Sequence, residues 1–240
     1  MLPPAVVAPE GAEPERTEAV PASDPSPTRA KKPIFRGWSH TAALVAAVAI
    51  APIIIVVAPA GVPKAVISIY AGATIGLFGC SSLLHRFYWP PWLETWIRKL
   101  DHSMIFVAIA ATYTPIAVLL LPPPDTRLIL AVVWLGALVG IVTRCAWLDA
   151  PTWFVAVPYI AVGWAGILVI DDIFVNGGVA GFVLILSGGL LYTLGAIIFA
   201  IKRPNPSPKW FGFHEVFHLF VVAAAAVHYV AVAFVALPKA

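Results

Sequence analysis

The chain predicts an all-α membrane protein, a bundle of seven transmembrane helices, on three observations. First, 60% of its 240 residues are hydrophobic and only 11% are charged, against roughly a quarter charged in soluble domains. Second, the mean hydropathy is +0.91, concentrated in runs of about 20 apolar residues, the length needed to cross a hydrocarbon core. Third, clusters of proline and glycine separate those runs, and these are the residues that end helices. The net charge of +3 carries no nucleic-acid signal, because the basic residues lie scattered between apolar spans. No nucleic-acid partner is expected. Cys80 and Cys145 both fall inside apolar runs, so each reads as a small buried hydrophobe rather than half of a disulfide.

Residues 1–34 are rich in Pro, Ala, Glu and Ser and lack an apolar period. Such a stretch cannot bury enough surface to offset its ordering entropy, so it predicts a disordered tail. It has no apolar core behind a basic start, so it does not read as a secretory signal. A membrane domain over 35–240 follows. Its spans are placed near 37–59, 64–88, 100–121, 127–148, 152–171, 178–201 and 212–236. The breaks are Pro63, the pair Pro90 and Pro91, Pro122 to Pro124, Pro151, the run Asn176, Gly177 and Gly178, and Pro204, Pro206 and Pro208. Trp89, Trp92 and Trp96 sit between spans 2 and 3, where an interfacial aromatic belt belongs. Small-residue patterns such as Gly177, Gly181, Gly188 and Gly189 allow close helix packing and leave the oligomeric state open.

Orientation follows from the cations. One side holds Arg29, Lys31, Lys32 and Arg36, then Arg86, Arg98 and Lys99, then Arg144, then Lys202, Arg203 and Lys209. The other holds Lys64, Arg127 and Lys239 against Asp125, Asp171 and Asp172. The positive-inside rule then sets the N-terminus in the cytoplasm, and an odd number of spans sets the C-terminus outside. The expected location is a plasma membrane, crossed several times.

Polar side chains inside such spans are costly and face a protein interior or a water-filled cavity. His214 and His218 are four residues apart in the first turns of span 7, so they share a helix face. His85 ends span 2, with Ser81 one turn deeper, and Asp101 opens span 3. Taken singly, each has an ordinary reading: Asp101 as a helix N-cap, a histidine as a headgroup contact, Ser81 bonded to its own backbone. Together they lie at one level near the cytoplasmic face. Three histidines plus an oxygen make a four-coordinate set with one open position, which favours zinc over iron, copper or nickel. His228 lies about 15 Å deeper at ~1.5 Å rise per residue, too far for the same ion, and reads as a buried, hydrogen-bonded histidine. His40 reads as interfacial at the mouth of span 1, and His102 as facing another side of its helix. Thr112, Tyr113, Thr114 and Pro115 read as a kink whose hydroxyls satisfy backbone groups that the proline frees.

The stretches Ser81-Ser-Leu-Leu-His85, Leu100-Asp-His-Ser103 running on to Ala111-Thr-Tyr-Thr-Pro115, and His214-Glu-Val-Phe-His218 resemble the hemolysin III family. This is the bacterial branch of the progestin and adipoQ receptor (PAQR) proteins, and the resemblance covers roughly residues 35–236. It implies seven helices, a cytoplasmic N-terminus, a bacterial inner membrane and an intramembrane zinc. His85, His214 and His218 would be the zinc ligands, Asp101 would hold the metal-bound water, and Ser81 would support that cluster. The related alkaline ceramidases use this set to hydrolyse lipid amides. Some relatives carry Gln at the position of Glu215, so the resemblance gives that residue no catalytic duty.

Three functions compete. The first is a zinc hydrolase of a lipid amide or ester, with Asp101 as general base and Ser81 beside it, and membrane lipid as the partner. The second reads His214-Glu-Val-Phe-His218 as the H-E-x-x-H of an intramembrane metalloprotease with Glu215 as base. The residues after His218 offer no Asp or Glu for its third ligand. The third is a non-enzymatic protein whose zinc staples spans 2, 3 and 7, acting as a sensor or, as the family name suggests, in cytolysis. A pore would need a polar stripe along a helix, and no span has one.

Overall fold

A computed structural model describes Leu2 and residues 32–240. Most of the expected disordered tail, residues 1–34, therefore lies outside the described residues. Its last residues do not hang free. Lys32 Nζ donates to the carbonyls of Leu84 and Phe87, and the amides of Ile34 and Phe35 donate to Lys209 O and Trp210 O.

Seven α-helices carry the described fold, and the prolines mark their starts. Helix α1 spans Trp38–Val57. Helices α2 (Val62–Arg86), α3 (Pro91–Leu120) and α4 (Pro123–Ala146) each open with a proline in the first turn, where its missing N–H is not needed. Helix α5 is Thr152–Gly163, followed by a 3-10 segment, Ala165–Val169. Helix α6 is Ile170–Ile201 and α7 is Phe213–Ala231, which ends in a π-turn and a 3-10 turn. Helix α3 begins well before the expected start of span 3, since Trp92 to Lys99 extend it rather than forming a loop.

Among the described residues, six stretches are long and apolar enough to cross a bilayer: five of 20 to 30 residues and one of 50, Thr152–Ile201. A straight helix of that length would reach about 75 Å, far beyond a ~30 Å hydrocarbon core. It is not straight. At Gly178 the backbone takes φ 65° and ψ −173°, which glycine alone adopts freely. Thr152 Oγ1 donates to Ala200 O, and Trp164 Nε1 to Thr193 Oγ1. Those partners are 48 and 29 residues apart, so the two arms run back along each other.

The 3-10 break has its own support. Tyr113 Oη donates to Gly163 O at 2.6 Å and accepts from Gly166 N at 2.9 Å. One hydroxyl on α3 thus satisfies two backbone groups that the broken ladder leaves over. Tyr113→Phe should orphan both, at about 1–3 kcal/mol for each buried group, read as a lower thermal midpoint in detergent. An unchanged midpoint would mean that the break does not depend on this contact. Elsewhere on α3, Thr112 and Thr114 bond Ala108 O and Ala110 O. They do not reach Ala111 O, the carbonyl that Pro115 deprives of its donor.

The core contains Ile67, Phe106, Ile129, Val133 and Ile173, all at most 1% exposed. The outward faces are apolar as well: Val56 is 75% exposed and Leu135 62%. Apolar surface on that scale belongs to a protein whose solvent is lipid. Cys145 lies on this outer surface rather than inside, while Cys80 is half-buried, and both thiols are free.

Candidate metal centre

Helix α2 delivers His85 in its last turn, and α7 delivers His214 and His218 in its first two. The ligand atoms of the three side chains lie within 4.8 Å of one another. His85 Nε2 and His214 Nε2 are 3.2 Å apart. Two nitrogens on one tetrahedral zinc, each at about 2.0–2.1 Å, stand roughly 3.3–3.4 Å apart, so this pair already has the right separation. The rings meet edge-on or tilted: 69° between His85 and His214, 65° between His214 and His218, 59° between His85 and His218. In-plane lone pairs on mutually tilted rings can converge on one point, as coordination requires. His218 Nδ1 is buried and has no hydrogen-bond partner among the described residues, and three imidazoles are a donor set suited to a divalent metal. The residues fit zinc.

Asp101 is 7% exposed, and its Oδ2 lies 3.9 Å from His85 Nε2. It is not an N-cap, since α3 begins at Pro91 and Asp101 sits inside the helix. Ser81 lies beside this carboxyl, and both line one cavity. All five residues expected at one level are therefore neighbours. The N-terminal segment closes over them, and a Cβ on Gly37 would come within 2.8 Å of His85 Cβ.

His40 is the residue that sequence reasoning misplaced. It is not interfacial but 3% exposed, with Nδ1 at 2.7 Å from Ser81 Oγ and its ring stacked on His218. The signal was available: His40 lies in the first turn of α1, at the same end of the bundle as Ser81 and His85. The other histidines stand as expected. His102 turns toward α4, where its Nδ1 is 2.6 Å from Arg144 Nη2. His228 Nε2 donates to Ile185 O at 3.2 Å.

Glu215 is 2% exposed, and both its oxygens are engaged. One pairs with Arg36 Nε, and the other accepts from Gly212 N at 2.7 Å, capping α7. Arg36→Ala would leave that carboxylate buried with only the backbone donor. Breaking a buried pair costs about 3–5 kcal/mol, and Arg36 is partly solvated, so the lower end is expected. The check is a thermal midpoint, and no drop would mean the ion pair is not holding the N-terminal segment to α7.

An apolar cavity runs inward from His218 and Asp101 past Leu77, Ile109, Tyr192 and Phe217 to His228. His218 and His228 sit ten residues apart on α7, which makes the cavity about 15 Å deep at ~1.5 Å per residue.

Comparison with known proteins gives the chain a family. The model for a family described as Haemolysin-III related matches residues 28–229. "Hemolysin-3" of Bacillus cereus is 33% identical over 182 residues, 75% of this chain and 80% of that protein. "Hemolysin-3 homolog" of Bacillus subtilis (strain 168) is 30% identical over 170 residues, 70% of this chain and 75% of that one. The human "Monocyte to macrophage differentiation factor" is 27% identical over 168 residues, 68% and 67% of the two chains.

Proposed function

The chain belongs to the haemolysin-III related family, and on that premise we propose that it is a zinc-dependent hydrolase of a lipid amide or ester. The observation that carries this reading is the placement of the imidazoles: three of them converge beside a buried carboxylate, and His214, His218 and Asp101 line an apolar cavity. His85, His214 and His218 would hold the metal. Zinc held there would bring the pKa of a bound water toward about 7 and polarise a carbonyl. Asp101 is within reach of the same point and would take up the proton. Ser81 keeps the carboxylate oriented. The cavity walls would receive an acyl chain and keep bulk water from it, which makes membrane lipid the natural substrate.

We read the Thr152–Ile201 run as two crossings, because its arms are cross-bonded and reversed at Gly178. That makes seven, with the N-terminus cytoplasmic by the positive-inside rule and the site near the inner face of a bacterial plasma membrane. Two features weigh against the other readings. Glu215 is committed to Arg36 and to the α7 cap, so it is poorly placed to serve as a metalloprotease base. A zinc that only stapled helices would not need a cavity opening onto it.

The test is hydrolysis of a panel of long-chain amides and esters by purified protein in liposomes. Activity that a chelator removes and added zinc restores supports the reading. Full activity after the metal has been stripped would overturn it.

A further inference from the structure

We propose that His40 is a positioning residue of this site: it holds the Ser81 hydroxyl toward Asp101 and packs flat against the His218 ring. The inference deepens the metal-site reading and shares its ligand set.

The starting point is what serine and threonine do on α2. Ser68 bonds Lys64 O at 2.8 Å, and Thr74 bonds Tyr70 O at 2.9 Å, the usual return to the carbonyl four residues back. Ser81 instead has His40 Nδ1 at 2.7 Å, and it lies beside the Asp101 carboxyl on the wall of the same cavity. A hydroxyl has one hydrogen to give, and a carboxylate can only accept. If Ser81 donates to Asp101, its oxygen must accept from His40, which fixes the proton on Nδ1. The order is then His40 Nδ1–H to Ser81 Oγ–H to Asp101. Without the His40 donor, the Ser81 rotor is free to return to Leu77 O, and Asp101 loses its partner.

The ring face has a second task. His40 and His218 stack with centroids 3.8 Å apart and planes 8° from parallel. Parallel planes do not meet, so the two rings cannot aim in-plane lone pairs at one ion. His40 is therefore outside the ligand set and braces a member of it. Phe78 meets the same imidazole edge-on at 5.2 Å, which holds it from another direction. This arrangement leaves His40 Nε2 buried, with no hydrogen-bond partner among the described residues. A buried histidine retained with one nitrogen unsatisfied is there for its other edge and its face.

The experiment is a double-mutant cycle on detergent-purified protein. His40→Phe keeps a flat ring and removes the donor, Ser81→Ala removes the acceptor, and His40→Asn restores an N–H near the position of Nδ1. The readout is the rate at which bound zinc passes to a chelator. Loss of an outer partner of a metal site typically costs about 10–100-fold. His40→Phe and Ser81→Ala should each release zinc about tenfold faster, the double variant no faster than either, and His40→Asn, which keeps the donor but loses the stacked ring, more slowly than His40→Phe. The proposal is overturned by a wild-type rate in His40→Phe, by single effects that multiply in the double variant, or by His40→Asn releasing as fast as His40→Phe. If wild-type protein binds no zinc, the metal reading is what has failed. The same cycle is then read from thermal midpoints, where additive single effects would overturn the coupling.

Discussion

Protein purified without a metal-affinity tag should carry about one zinc per chain, and His85→Ala and His218→Ala should each carry almost none. These residues lie on α2 and α7, far apart in sequence, so loss in both variants means one shared site rather than two weak ones. The expected effect is large. Changing an outer partner of a metal site already costs about 10–100-fold, and here one of three direct donors is removed. Mass spectrometry of bound metal against protein concentration is the check, beside a thermal midpoint to establish that each variant is folded. Zinc held at the wild-type level in folded His218→Ala would remove that residue from the site. A folded wild type with no metal would leave the histidines as a buried polar cluster, with the two Nε2 atoms at 3.2 Å sharing a proton in place of a cation.

Asp101→Ala separates binding from chemistry. The carboxylate stands 3.9 Å from His85 Nε2, outside hydrogen-bonding range of the ring, so the imidazole does not depend on it for its position. Zinc should therefore stay at the wild-type level while lipid-amide turnover falls by about 10²–10⁴, the usual contribution of a general base. Wild-type turnover in this variant would remove Asp101 from the mechanism. Loss of zinc together with turnover would make Asp101 a ligand. A wild type that binds zinc and hydrolyses nothing in the panel would leave the metal centre standing and end the hydrolase reading.

Depth along the helices made much of the site legible. His85, Ser81, Asp101, His214 and His218 were placed at one level of helices that enter or leave on one side, and the fold brings the three histidines and Asp101 close together. The level argument failed only where it was not applied. His40 is on the same level, but a histidine in the first turn of a span looks the same in sequence whether it faces headgroups or a neighbouring ring. Packing of α1 against α2 and α7 makes that choice. Asp101 looked like the start of a helix because Glu94, Arg98 and Lys99 resemble a charged loop. The helix instead continues through them, with Arg98 paired to Asp149 at 2.9 Å. Cys145 was read as buried because its neighbours are apolar, and in a bilayer apolar neighbours do not distinguish inside from outside.

The sequence alone was enough for the membrane class, the helical content and the grouping of His85, His214 and His218. Each of these depends on local quantities: hydropathy over about 20 residues, prolines at helix starts, and the four-residue spacing of His214 and His218. Only the tertiary structure decided which polar groups are already spent. Glu215 is committed to Arg36 and Gly212, Tyr113 to the break after α5, and Ser81 to His40. These pairings join residues on different helices, and a side chain's hydrogen-bond partner is set by what packs against it in space.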